Sequence, residues 1–135
     1  MPETPAEAIG GLEFAGDGRG PELTRMFWSS DGTILRAIEY RLSQDGLVRH
    51  VRLSGVQVVM VTPDEVVGQL PGDIDTPPVR GAYAVRLGRS PFLASFNPRH
   101  LGRCAHYRLR FYDELIDLIC ERVEFVGGSF QEAEA

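Results

Sequence analysis

The chain has 135 residues, of which 43% are hydrophobic and 24% are charged, which is typical of one ordinary globular domain. No apolar run approaches the ~20 residues of a membrane span, and the N-terminus lacks the basic start and apolar stretch of a secretory signal. The net charge of −5 argues against nucleic acid as a partner, and two cysteines do not make a disulfide framework. We therefore predict a protein of a reducing, bacterial-type cytoplasm that binds neither nucleic acid nor membrane.

The two ends of the chain differ in composition from its centre. Residues 1–21 are rich in Ala, Gly, Pro and Glu, which predicts a mobile tail from which Leu12 and Phe14 can dock. Gly127-Gly128 predicts the end of the ordered chain. The predicted organisation is a mobile tail at 1–21, a single β-rich domain at 22–126, and a second mobile tail at 127–135.

Two β-hairpins are predicted between Leu23 and Val61, because Asp-Gly pairs at Asp31 and Asp45 separate apolar runs. For the second hairpin, a two-residue turn predicts five opposing pairs: Tyr40 with Val51, Ile38 with Leu53, Leu42 with Arg49, Glu39 with Arg52, and Arg41 with His50. This register gathers the apolar side chains on one face and places a charge pair on the other.

The first hairpin has two candidate registers. A three-residue loop over residues 31–33 pairs Trp28 with Ile34 and adds Trp28 and Met26 to the apolar face. A two-residue turn pairs Trp28 with Leu35 instead. We favour the longer loop because it enlarges the apolar face.

Beyond the hairpins, the signals change from strand to helix. Residues 56–61 are apolar almost throughout, as in a centrally buried strand. Residues 62–65 supply a capping threonine, a proline and a glutamate suited to a first helical turn, so a short helix to about Leu70 is predicted. The prolines and the glycine of residues 71–78 predict a loop.

Three further strands are predicted before the C-terminal segment. Residues 82–87 and 92–96 form a pair around a turn at 88–91, and residues 106–111 alternate in polarity. In the last of these strands, Tyr107, Leu109 and Phe111 share one face, and His106, Arg108 and Arg110 share the other.

Residues 113–125 fit a helix better than a strand. As a helix, they place an apolar stripe opposite an arc of carboxylates, with Asp113 as N-cap. As a strand, Asp113 and Glu114 form a hairpin turn, and the chain returns antiparallel as far as Phe125 with mixed faces. We favour the helix and keep the strand as the alternative.

Together these elements predict an α+β domain that is predominantly β. We expect a single antiparallel sheet of about six or seven hairpin strands, strongly curved or partly closed into a barrel, with one or two short helices. In strand order alone, this layout resembles many small bacterial adaptor and toxin-immunity domains. The resemblance implies an adaptor or immunity-type role as one alternative function.

The charges are segregated along the chain. All 14 basic residues are arginines, and seven of them lie between Pro77 and Tyr112, where no acidic residue occurs. We favour a non-catalytic binding protein that recognises an anionic small molecule or an acidic protein partner through this region. Its predicted ligand-binding residues are Arg99, His100, Arg103, Arg108 and Arg110. In the plainer interpretation, the acidic segment that starts at Asp113 covers these strands and neutralises part of their charge.

Two weaker alternatives use the cysteine and histidines of the same region. Cys104 with His106 or His100 has the residue types of a thiol nucleophile and its base, so a small cysteine- and histidine-dependent enzyme is the catalytic alternative. His100, Cys104 and His106 are also donors suited to zinc, with His50 or Asp113 as a fourth ligand. Inert packing of Cys104 is the plainer interpretation. We therefore predict no cofactor and no metal, and the sequence leaves the oligomeric state open.

Overall fold

In the computed structural model, residues 7–14, 20–42, 45–67, 83–88, 90–96 and 101–130 are described. The strands among them are β1 (Glu7–Ala8), β2 (Glu22–Trp28), β3 (Leu35–Arg41), β4 (Val48–Ser54), β5 (Val58–Pro63), β6 (Ala84–Gly88), β7 (Ala105–Arg110), β8 (Glu114–Cys120) and β9 (Arg122–Gly127). The helices are a 3-10 helix (Gly11–Phe14), α1 (Asp64–Val67) and α2 (Pro91–Ala94). None of these described helices is long and apolar enough to cross a membrane.

The strands form two antiparallel sheets. A five-stranded sheet has the order β1-β6-β7-β8-β5, and a four-stranded sheet has the order β2-β3-β4-β9. The predicted antiparallel, predominantly β architecture is confirmed. The prediction of a single, partly closed sheet is not, because the strands divide between two sheets that do not close into a barrel.

The two sheets meet at a corner, where β4 continues into β5 and β8 continues into β9. β4 pairs with β9 on one side of the corner, and β5 pairs with β8 on the other. Ser54 lies opposite Arg122 and Val58 opposite Ile119, so three residues oppose two in a β-bulge. Gly55 has a φ of +64° in this bulge, a conformation that glycine adopts readily. The bulge bends both strands, which explains why one long antiparallel strand pair serves two sheets.

The two sheets enclose a shared hydrophobic core. The four-stranded sheet contributes Tyr40 and Val51, and the five-stranded sheet contributes Leu109, Ile116 and Leu118, all of them fully buried. These residues alternate along their strands with residues of the outer faces, as expected for packed antiparallel sheets. The alternation predicted for residues 106–111 is confirmed by β7.

Both ends of the described chain pack against the sheets. β1 pairs with β6, and the ring of Phe14 lies 4.9 Å from that of Tyr40 in an edge-on contact. At the other end Phe130 is buried, with its ring 5.1 Å from that of Phe27. Phe14 thus docks as expected. The domain boundaries predicted at residues 22 and 126 stay predictions.

The second hairpin forms with a register that differs from the predicted one. Ile38 pairs with Val51, two residues from its predicted partner, and the connecting turn is longer than two residues. Because side chains alternate with a period of two, the slip keeps the apolar residues on the predicted face. It changes their partners, however, and Arg52 lies opposite Ala37 instead of Glu39.

The first hairpin has the register of the two-residue turn, which is the alternative that we did not favour. Trp28 pairs with Leu35, and a register shift occurs between Phe27 and Trp28. Phe27 is consequently buried and Trp28 exposed, so the prediction that Trp28 joins the apolar face was wrong. The Asp31 carboxylate accepts hydrogen bonds from its neighbours in the loop and fixes the turn locally.

Residues 113–125 form the strands β8 and β9, so the favoured helix was wrong. Every residue from Leu115 to Cys120 is buried, so both faces of β8 are covered, and β8 pairs with β7 on one edge and β5 on the other. Such a strand has no polar face to reveal a period of two. The passage to the other sheet at Glu121 further interrupts the pattern.

Two shorter predictions also need correction. Residues 92–96 were predicted as a strand, but Pro91–Ala94 form α2, with Ser90 as N-cap and Pro91 at its start. β5 was predicted to be centrally buried, but it is an edge strand and Val61 is exposed. The predicted short helix begins at Asp64, and its predicted end and the following loop lie outside the described residues.

Candidate functional site

A cleft opens at the end of the five-stranded sheet where β7 turns into β8. Four segments meet there: the residues before β2, the start of α1, the residue before β6, and the β7–β8 turn. The cleft has a volume of about 340 Å³ and is lined by Gly20, Asp64, Tyr83, Arg110, Phe111, Tyr112 and Asp113. Charged and aromatic side chains therefore predominate on its walls.

Backbone hydrogen bonds tie the walls of the cleft together. They run from Asp64 N to Asp113 O at 2.7 Å, from Arg110 N to Tyr83 O at 2.7 Å, and from Tyr112 N to Pro21 O at 2.8 Å. Each of these bonds joins two of the four segments. The cleft is therefore largely formed before a ligand arrives, which lowers the cost of ordering on binding.

Arg110 is the cation of the cleft. Its Nη2 lies 3.7 Å from Oδ1 of Asp64, which is longer than the ~2.7–2.9 Å of a direct charge-assisted hydrogen bond. Asp64 thus engages the guanidinium loosely and leaves N–H donors for a ligand. Asp64 and Asp113 are both exposed, so water and salt weaken their field.

Glu114 borders the turn and makes stability depend on pH. Burial raises the pKa of Glu114 above its ordinary value of 4.5, and the charge of Asp113 raises it further. The folded state therefore holds the proton more firmly than the unfolded state, and stability falls as pH rises from about 4.5 through the folded pKa. We expect Glu114→Gln to be more stable than the wild type at pH 7 and equal to it near pH 4, by urea unfolding. A variant less stable than the wild type at pH 7 contradicts this.

A second polar cluster is buried in the same sheet. Asp117 of β8 has no exposed surface, and its Oδ1 accepts hydrogen bonds from His106 Nε2 at 2.5 Å and Arg108 Nε at 3.0 Å. The other ring nitrogen of His106, Nδ1, lies 2.6 Å from Ser90 Oγ. Arg108 and Asp117 face each other across the strands. This cluster balances the Arg108 charge and fixes the His106 ring.

The structure describes three of the five predicted ligand-binding residues. Arg110 lines the cleft, whereas Arg108, two residues earlier on β7, is held by the Asp117 carboxylate. Arg103 is exposed in the turn before β7. Arg99 and His100 lie outside the described residues. The contact between Arg108 and the C-terminal segment is the neutralisation that the plainer interpretation of the sequence expected.

Cys104 and His106, the predicted catalytic alternative, lie in different surroundings. Cys104 Sγ is 4.0 Å from the carbonyl oxygen of Gly55 at the corner, and the described hydrogen bonds of His106 go to a serine and an aspartate. Burial raises the pKa of the Cys104 thiol, and the charge of Glu121 raises it further. A raised pKa disfavours the thiolate that a nucleophile needs. This geometry therefore gives no support to a thiol nucleophile.

The predicted zinc ligands are not assembled by the part of the chain that the structure describes. No group of three His, Cys, Asp or Glu side chains there is placed to hold a metal ion. His50 lies in the four-stranded sheet, with Nδ1 2.9 Å from the carbonyl oxygen of Gly128. Asp113 lies at the cleft instead. The third predicted ligand, His100, lies outside the described residues.

Two residues of the buried cluster were not among the predicted site residues. Ser90 precedes a proline, the same signal of a capped helix start that we used for residues 62–65, but we assigned it to a turn. Asp117 is the one carboxylate within the apolar run from Leu115 to Cys120. A lone acid in a run that buries both faces needs a partner, and that partner is Arg108 opposite it.

No protein-family model, curated protein or solved structure matches this chain. The function is therefore argued from the chemistry of the cleft and of the buried cluster.

Proposed function

We propose that the cleft is a non-catalytic binding site that holds an anionic group of a small ligand, with Arg110 as the recognising side chain. The observation that carries the proposal is the position of Arg110. Of the predicted ligand-binding residues that the structure describes, Arg110 is the one that lines the cleft, and its contact with Asp64 is long.

The chemistry of the cleft suits a carboxylate or a phosphate. A guanidinium presents five N–H donors in a planar fork that matches the oxygens of either group. Tyr83 and Tyr112 add aromatic walls beside it. A volume of about 340 Å³ lies at the lower end of the range for small-molecule sites, which favours a small ligand over an acidic protein surface.

The acidic neighbours of Arg110 limit the charge of the ligand. Asp64 and Asp113 repel a second negative charge, and the net charge of −5 repels polyanions at longer range. We therefore expect a ligand with one compact anionic group and no nucleic acid. Cys104 and Cys120 are unpaired, which fits the reducing cytoplasm that the sequence predicts.

Inorganic phosphate is the first probe of the site. At about ten times the dissociation constant, mass action raises the free energy of unfolding by about 1.4 kcal/mol. Phosphate also stabilises proteins in general by exclusion from their surfaces, so the difference between wild type and variant is what reports the site. Urea unfolding with and without phosphate, sulfate and acetate measures it.

Phosphate is expected to raise the free energy of unfolding of Arg110→Gln less than that of the wild type, because the variant lacks the binding site. Arg36→Gln, on an exposed position of β3, removes the same charge away from the cleft and is expected to keep it. Equal stabilisation of the wild type and Arg110→Gln by every anion would contradict the proposal.

A further inference from the structure

Ser90, His106 and Asp117 form a hydrogen-bonded series that anion binding at the cleft does not use. Ser90 Oγ lies 2.6 Å from His106 Nδ1, and His106 Nε2 lies 2.5 Å from Asp117 Oδ1. Ser90 Oγ also accepts the N–H of Leu93, and a carboxylate can only accept. When the imidazole is neutral, Nε2–H donates to the carboxylate and the serine hydroxyl donates to Nδ1.

This series has the order of a nucleophile, a base and an orienting acid. In the familiar serine hydrolases the serine faces Nε2 and the acid faces Nδ1. Here the imidazole of His106 has the opposite orientation: the serine faces Nδ1 and the acid faces Nε2. Each partner keeps its chemical role. Arg108 Nε adds a bond of 3.0 Å to the same oxygen of Asp117 and fixes the acid in turn.

Exposure along the series also suits catalysis. His106 and Asp117 are 1% and 0% exposed, whereas Ser90 is partly exposed. The series is therefore open to solvent only from its serine end, while water is kept from the imidazole and the carboxylate, where charges interact more strongly. Helix capping accounts for the bond from Leu93. It does not account for a buried imidazole–carboxylate pair behind the serine hydroxyl.

We propose that Ser90 is the nucleophile of an acyl-transfer site for small, uncharged esters. Its Oγ bonds to the ester carbonyl carbon while its proton passes to Nδ1 of His106, and Asp117 balances the imidazolium charge. The proton then passes to the leaving oxygen as the ester C–O bond breaks, which gives acyl-Ser90 and a free alcohol. Water repeats both proton transfers, releases the acid and restores the serine.

Aromatic side chains near Ser90 indicate an apolar acyl group. The ring of Phe92 lies 5.0 Å from that of His106 and 5.4 Å from that of Phe96. Both phenylalanines are partly exposed, and α2 carries no charged residue. Apolar surface beside the nucleophile favours the burial of an apolar chain.

An alkyl fluorophosphonate probe, which phosphonylates activated serines, tests this proposal by intact mass and peptide mapping. We expect one adduct, at Ser90. Ser90→Asn keeps an N-cap and removes the hydroxyl, so it is expected to give no adduct. Ser95→Ala is the matched control, since Ser95 lies at the other end of α2 and donates to the Phe92 carbonyl. It is expected to be labelled like the wild type.

The dependence of the labelling rate on His106 distinguishes an activated serine from one that is only exposed. His106→Gln is expected to slow labelling by roughly 100-fold or more. In the wild type, the labelling rate is expected to depend on pH, because His106 takes the serine proton; Ser90, Arg108 of β7 and Asp117 of β8 face the imidazole. This pH profile needs no variant and so remains decisive if His106→Gln fails to fold. No adduct, an adduct elsewhere, a flat pH profile or an unchanged rate in His106→Gln would each overturn the proposal.

Discussion

Asp117→Ala is expected to lower the free energy of unfolding by about 3–5 kcal/mol, the range found when one partner of a buried ion pair is removed. The change leaves the buried Nε2–H of His106 without this acceptor and removes one carboxylate from the surroundings of Arg108. Both consequences act in a part of the sheet with almost no solvent, so water does not replace the lost oxygen. Urea unfolding followed by circular dichroism measures the loss.

Two controls isolate the ionic contribution. Glu124→Ala removes a carboxylate from an exposed pair, 3.7 Å from Arg52, and is expected to cost at most about 1 kcal/mol. Replacing both partners by apolar groups, in Arg108→Met with Asp117→Leu, is expected to recover a large part of the loss. A loss below about 1 kcal/mol in Asp117→Ala would show that the carboxylate does not organise the cluster.

Gly20→Ala has the second largest expected effect. A Cβ at this position would lie 2.4 Å from the carbonyl oxygen of Arg110 and 2.6 Å from the carbonyl carbon of Phe111. Both are backbone atoms at the end of β7, which cannot rotate aside as a side chain can. The segment before β2 must therefore move, which strains the 2.8 Å bond between Tyr112 N and Pro21 O. We expect a loss of about 1–3 kcal/mol from overpacking, and weaker binding of anions in the deformed cleft.

Gly127→Ala is the matched control for this substitution. Gly127 lies in β9, and a Cβ there meets no atom within 4 Å. Its substitution is expected to change stability by no more than about 0.5 kcal/mol. Equal effects of Gly20→Ala and Gly127→Ala in urea unfolding would contradict the close approach between the segment before β2 and the end of β7.

Features set by neighbouring residues could be predicted from the sequence. Asp-Gly turns and strict alternation in β7 are local signals, and the presence of both hairpins, though not their registers, and the faces of β7 were correctly predicted. The exact pairing of β3 with β4 could not be predicted, because a slip of two residues leaves the same side chains on the same face. Only the longer turn distinguishes the two registers.

Features set by distant parts of the chain could not be predicted in this way. β8 is buried along its whole apolar run by packing within the folded sheets, and that run taken alone fits a helix. The cleft combines segments around Gly20, Asp64, Tyr83 and Arg110, which no spacing along the chain links. Arg110 itself was predicted from the segregation of charge. That Arg108 has a different role from Arg110 depends on the pairing of Arg108 with Asp117 across the strands.

Mapping of amide and Arg Nε–H shifts by nuclear magnetic resonance during a phosphate titration tests most directly whether Arg110 recognises an anion. We predict saturable shifts confined to the cleft, at Arg110 Nε–H and at the backbone amides of Gly20, Tyr112 and Asp113. The same titration of Arg110→Gln is predicted to leave those amides unmoved. Shifts that do not saturate, that centre on Arg103 instead, or that persist in Arg110→Gln would contradict the binding function proposed for this cleft.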